Sequence, residues 1–99
     1  MYAVIFRATA ADLDAEYSAS LERLKKRAFE EFNCLEFYSM MDGERRLAIA
    51  FWESESDARA WKADTDHSAV QRRARGRWYS DYRVQVCEVI RDYQMPPRS

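Results

Sequence analysis

His67 is the only histidine in this chain of 99 residues. Imidazole alone among unperturbed side chains changes charge near neutrality, which makes His67 the natural general base. The competing role for it is a hydrogen-bonded structural imidazole near a helix N-terminus. Trp52, Trp61 and Trp78 offer indole faces on which a flat aromatic substrate stacks well; the same rings equally suit a core or a dimer interface. Tyr79 and Tyr82 supply phenols that can act as acid or hydrogen-bond donor, or simply bury the ring and leave the hydroxyl wet. Arg72 belongs to the densest basic cluster, with Arg73, Arg75 and Arg77. One of these can grip an anionic substrate group by a bidentate contact, while the rest make a solvated helix face.

Composition removes several function classes. A net charge of -1 supplies no overall field toward nucleic acid or an anionic membrane. The apolar runs are far shorter than the roughly 20 residues that span a bilayer. Met1-Tyr2-Ala3-Val4-Ile5-Phe6 is no cationic leader with an apolar core behind it, which argues for a cytoplasmic, soluble protein. Cys34 and Cys87, the only two cysteines, are too few for a disulfide framework or a zinc site, and both read as small buried hydrophobes. No Gly-rich phosphate loop, nucleophile elbow or metal-ligand constellation is present.

The elements that must position these side chains follow from periodicity. Tyr2 to Ala8 alternates as a strand. Thr9 or Asp12 caps an amphipathic helix whose apolar positions are Leu13, Tyr17, Leu21, Leu24, Ala28 and Phe32. Asn33 ends it. Cys34 to Met41 is a second strand, Asp42-Gly43 a hairpin turn, and Arg45 to Trp52 the returning third strand. Ser54-x-x-Asp57 has the form of a capping box and opens a short helix carrying Ala58 and Trp61. Asp64, Thr65 and Asp66 break that helix and cap another, from about Asp66 to Arg75, with Gly76 as its C-cap. Asp81 to Tyr93 is a long final strand. Residues 1–93 form one domain, and 94–99, with Pro96-Pro97, a loose C-terminal tail.

The order β-α-β-β-α-α-β predicts an α+β, ferredoxin-like plan: an antiparallel sheet with helices on one face. In the third strand Leu47, Ile49 and Phe51 point one way and Ala48, Ala50 and Trp52 the other, so both faces are apolar. The helices cover one. A homodimer in which two sheets pack face to face covers the other.

Ala50-Phe51-Trp52-Glu53-Ser54-Glu55, then Trp61, Asp66-His67-Ser68-Ala69 and the closing Trp78-Tyr79-Ser80-Asp81-Tyr82-Arg83-Val84 resemble the antibiotic biosynthesis monooxygenase family. The resemblance runs from Tyr2 to about Tyr93 and implies a dimeric α+β barrel. It implies a cofactor-independent monooxygenase that oxidises a small aromatic or enolisable substrate with dioxygen. His67 would be the base, Trp52 and Trp61 the walls, Arg72 the anchor for developing negative charge, and Trp78 and Tyr82 further substrate contacts.

In the polyphenol-oxidising branch the family's tryptophan matches Trp52. Its asparagine falls on Ala48, its tyrosine on Ala58, and its arginine on Arg72 if no gap intervenes. The haem-degrading branch is the alternative. Its tryptophan matches Trp61 and its axial histidine falls on Gln71, with His67 one helical turn earlier on the same face. The first reading needs no metal or cofactor; the second needs haem. A third is a non-enzymatic dimeric small-molecule-binding or stress-related protein.

Overall fold

A computed structural model describes residues 1–67, without the His67 side chain, and residues 76–97. Six elements follow in order: β1 (Tyr2–Ala10), α1 (Ala15–Glu31), β2 (Cys34–Asp42), β3 (Arg45–Trp52), α2 (Glu55–His67) and β4 (Tyr79–Glu88). The four strands form one sheet in the order β2-β3-β1-β4, with every neighbouring pair antiparallel. This is the expected α+β, ferredoxin-like arrangement. The second of the two expected short helices, 66–75, lies largely outside the described residues. Among those described, no helix is long and apolar enough to cross a membrane.

Sequence alternation becomes two distinct sheet faces. Arg46, Ala48, Ala50 and Trp52 of β3 are buried beneath the helices, while Leu47, Ile49 and Phe51 on the other face are half-buried. Val4 pairs with Ala50 and Val86, and Phe6 with Ala48 and Val84. The covered face therefore runs continuously across the central strands. Its core is Val4, Ala28, Cys34, Phe37, Ala48, Ala50, Trp52, Ala58 and Trp61. Small alanines on the strands leave room for two indoles from above. α1 packs on β2, and α2 over β1 and β3.

Local chemistry sets the element boundaries, and several differ from expectation. The cap of α1 is Asp14, whose Oδ1 accepts from the Tyr17 N–H at 3.2 Å. It is neither Thr9 nor Asp12, because β1 continues to Ala10. Ala10 N–H then donates to Glu44 O at 2.7 Å, and Thr9 Oγ1 to Asp81 Oδ1 at 3.2 Å. Leu13 thus precedes the helix. Asn33, at φ 60°, turns the chain from α1 into β2, as a short polar side chain tolerates. Asp42 pairs with Arg45, so the two-residue loop is Gly43-Glu44. Gly43 sits at φ 59° in its first position, the type II′ pattern.

Half of the capping box forms: Asp57 N–H donates to Ser54 Oγ at 3.2 Å. The Asp57 carboxylate instead accepts from Asn33 Nδ2 at 3.4 Å. The expected break at Asp64, Thr65 and Asp66 is absent; α2 runs through all three. Each finds a partner that helix geometry allows. Asp64 takes two hydrogen bonds from the Arg27 guanidinium at 2.9 and 3.1 Å. Thr65 Oγ1 donates back to Trp61 O at 3.0 Å, and Asp66 pairs with Lys62 at 2.5 Å. β4 begins at Tyr79 and ends at Glu88, earlier at both ends than the alternation suggests. Residues 89–97 carry no regular structure.

Candidate functional site

Between the covered sheet face and the two helices lies a cavity of about 90 Å³. Leu21 and Leu24 of α1, Trp61 of α2, and Val4, Phe6, Phe37 and Val84 of the sheet give it apolar walls. Its polar lining is Arg46 and Tyr79 on the sheet side, with Lys62, Thr65 and Asp66 on α2. Trp61 is held by an edge-on contact with Phe37, ring centroids 5.9 Å apart, and by its Nε1–H, which donates to Leu24 O at 3.4 Å.

Trp52 stands behind Trp61 rather than in the cavity. It is fully buried, and its Nε1–H donates to Phe32 O at 2.8 Å, supplying a partner to the carbonyl at the end of α1. Trp78 is buried elsewhere. Its Nε1–H donates to Asp14 Oδ1 at 3.1 Å, and its ring meets Tyr17 edge-on at 5.3 Å. It ties the start of α1 to the start of β4, helped by Ala11 N–H donating to Trp78 O at 2.7 Å. Tyr82 is exposed and stacks on Phe6 with centroids 5.8 Å apart, outside the cavity lining. His67 is the last residue of α2, one position beyond Asp66 at the cavity; its side chain and all of Arg72 lie outside the described residues. Of the seven residues singled out by sequence, the structure thus places Trp61 and Tyr79 on the cavity lining and Trp52 directly behind Trp61, and sets Trp78 and Tyr82 apart.

Two groups carry the polar chemistry that sequence reading passed over or left general. Arg46 is buried to 4% exposure. Its Nη1 donates to Ser39 Oγ, to Leu47 O at 3.1 Å and, longer, to Met40 O at 3.5 Å. No carboxylate among the described residues lies within ion-pair distance of it. The signal was present in the strand: Arg46 shares the parity of Ala48, Ala50 and Trp52, so a core-facing strand begins with a cation. Tyr79 enters the site because β4 starts earlier than alternation alone suggests. Burial, then the neighbouring Tyr17 phenol, pushes the Tyr79 hydroxyl well above its ordinary range, with Arg46 opposing. Tyr79 is therefore a neutral donor at physiological pH. The Tyr17 hydroxyl sits close enough to add to that shift, yet the geometry falls short of a hydrogen bond and Tyr17 Oη is buried without a partner. Among the described residues no cluster of three His, Cys, Asp or Glu side chains could hold a metal ion.

Comparison with solved structures agrees with the fold. The chain is similar to SnoaB, a cofactor-independent oxygenase from Streptomyces nogalater, with a TM-score of 0.71 at 14% identity, covering 92% of this chain and 94% of that one. It is equally similar to a protein named as an antibiotic biosynthesis monooxygenase from Deinococcus radiodurans, TM-score 0.71 at 15% identity, covering 98% and 100%. MhuD, in a mutant form binding two manganese protoporphyrin IX molecules per active site, gives a TM-score of 0.53 at 23% identity over 94% and 99%. No protein-family model and no curated protein matches the sequence. The chain therefore has the fold of the antibiotic biosynthesis monooxygenases, as its sequence suggested.

Proposed function

We propose that this protein is a cofactor-independent monooxygenase that oxidises a small aromatic or enolisable substrate with dioxygen in the helix–sheet cavity. The observation that supports this most is the cavity itself: an aromatic and aliphatic chamber, walled by Trp61, Phe37 and Phe6, with one buried cation and one neutral phenol on its lining. Such apolar walls limit the water around a reactive carbanion, and the cation puts a positive charge near the oxygen on which negative charge collects. Overall, a substrate methylene and one molecule of dioxygen become a carbonyl and one molecule of water. The methylene carbon loses both hydrogens and supplies all four electrons. One oxygen atom enters the carbonyl, and the other leaves as water with those two hydrogens. His67, closing the helix that carries Trp61, is the base that starts the sequence in this reading. Face-to-face pairing of two copies through Leu47, Ile49 and Phe51 belongs to the same proposal.

The haem alternative is weaker on size. Pockets for drug-sized ligands run to roughly 300–1,000 Å³, and a porphyrin is no smaller than such a ligand, whereas the cavity holds about 90 Å³. The scale is closer to the roughly 150 Å³ void that takes up benzene. The test is oxygen uptake over a panel of small phenols and 1,3-dicarbonyls, with hemin titrated in parallel. The expected result is uptake equal to carbonyl formed and unaffected by catalase, since water and not peroxide is the co-product, lost in His67→Ala with the fold retained. A saturable Soret shift at one hemin per chain, with no oxygen uptake on any substrate, overturns it.

A further inference from the structure

We propose that the cavity selects small organic anions, phenolates or carboxylates of about one ring, and that Arg46 is the residue that holds their charge. This deepens the reading of the cavity as the substrate site and rests on it. The decisive feature is a missing partner. A buried guanidinium ordinarily has a carboxylate beside it, because removing a full charge from water is offset only by an opposite charge and good hydrogen bonds. Arg46 is 4% exposed, and its three acceptors, Ser39 Oγ, Leu47 O and Met40 O, are all neutral and all reached by a single nitrogen, Nη1. Among the described residues its Nε is buried with no hydrogen-bond partner, and so is the hydroxyl of Tyr17, whose ring lies 5.9 Å from the Arg46 Cζ. A cation with an unsatisfied Nε, on the lining of the cavity and beside the unsatisfied Tyr17 hydroxyl, forms an incomplete constellation. An anionic oxygen completes it: it neutralises Arg46 and can accept from the neutral Tyr79 phenol on the same lining.

The other charges on the cavity do not serve this purpose. Lys62 is closed on Asp66 at 2.5 Å, so α2 contributes a neutralised pair, and α1 presents only Leu21 and Leu24. The apolar walls then fix the remainder of the ligand as a small hydrophobic body. Phenolate and carboxylate share the chemistry that Arg46 reads, and competition separates them.

The experiment titrates p-nitrophenol against the protein by absorbance in the absence of dioxygen, since its anion and neutral form absorb at different wavelengths and no oxygenation can then occur. Burial alone raises the bound phenol's pKa, and a nearby cation lowers it. The expected result is a bound pKa at least about one unit below that of free p-nitrophenol, a tenfold shift in its ionisation. In Arg46→Gln the shift vanishes and anion binding weakens by about tenfold or more; Tyr79→Phe loses part of both. Displacement by benzoate extends the site to carboxylates, and failure of benzoate to displace restricts it to phenolates. If Arg46→Gln does not fold, Arg46→Lys keeps the charge and should keep most of the shift, and the wild-type pKa decides by itself. No binding of either probe by wild type, a bound pKa at or above the free value, or unchanged anion binding in folded Arg46→Gln overturns the proposal. Anion binding without oxygen uptake on any substrate would retain the anion site and remove the oxygenase; oxygen uptake without anion binding would do the reverse.

Discussion

Trp61 lies against Trp52 with ring centroids 5.0 Å apart and planes inclined by 38°, so the cavity wall rests on a ring withdrawn entirely from solvent. The pair couples stability to site shape. Trp61→Ala should cost about 3–5 kcal/mol as a large-to-small core change, a heavy loss for a domain whose total stability is on the order of 5–15 kcal/mol. Trp52→Phe keeps most of the volume but strands the Phe32 carbonyl, at about 1–3 kcal/mol. Urea unfolding of the two variants checks this. Wild-type midpoints in both would show that the stack does not support the fold.

Asp14 predicts an acid-sensitive joint. Partial burial pushes its carboxyl up, but the Trp78 indole N–H, Arg77 and the Tyr17 and Glu16 N–H groups outweigh it and hold the group below its ordinary 3.8. A carboxylate depressed on folding contributes stability that is complete above its unfolded value and is lost as pH falls through the folded one. Asp14→Asn keeps a good helix cap while removing the titration. Its melting temperature should lie below wild type near neutrality and converge on it only as pH falls well below 3.8. Parallel melting curves that never converge would assign the Asp14 effect to something other than ionisation.

What the sequence made legible, and what it hid, divides along physical lines. Strand β3 was readable to both ends, because Leu47 to Trp52 is apolar and Gly43 marks the preceding turn. Elements set by side-chain competition were not. Asp64, Thr65 and Asp66 favour caps when nothing else claims their oxygens, but here Arg27 on α1, the Trp61 carbonyl and Lys62 claim all three. Only the first of these partners is distant in sequence, and none shows as a periodic signal. The tryptophans were legible as a group and not by role. Trp61 lines the cavity and Trp78 pins the start of β4, a difference decided by long-range contacts with Leu24 and Asp14. Arg46 was missed because the Arg45-Arg46 pair at a strand start reads as solvated; its parity with Ala48 and Ala50 was the available warning.

The proposed sheet-to-sheet pairing rests on the uncovered face. Leu47, Ile49 and Phe51 are only half-buried in one chain, and Tyr38 and Met40 of β2, aligned with Ile49 and Leu47, are exposed. In the proposed dimer a second copy would bury this face isologously. Light scattering behind size exclusion should give a dimer for wild type and a monomer for Ile49→Glu, which places a carboxylate at the centre of the face without touching the cavity side. A dimer that survives Ile49→Glu at micromolar concentration would move the interface elsewhere.

Of the two cysteines, Cys87 reports on the same face through its reactivity, and Cys34 is the buried reference. Both were expected to be buried, and Cys34 is: burial pushes its thiol up, and its Sγ contacts Glu36 O. Cys87 is exposed in the single chain, because it pairs with Ala3 on the side of the sheet that the helices leave uncovered. Thiolate is the reactive form, so a buried thiol of raised pKa resists aromatic disulfide reagents at neutral pH. In native protein Cys34 should stay unmodified. Cys87 should label slowly where the dimer dominates and at least about tenfold faster in Ile49→Glu, since a partner sheet lying over it must first dissociate. Mass spectrometry of the labelled peptides assigns the site. Equal Cys87 rates in wild type and Ile49→Glu, across a dilution series, would mean that nothing covers the open face in solution, and the sheet-to-sheet dimer would fall with it.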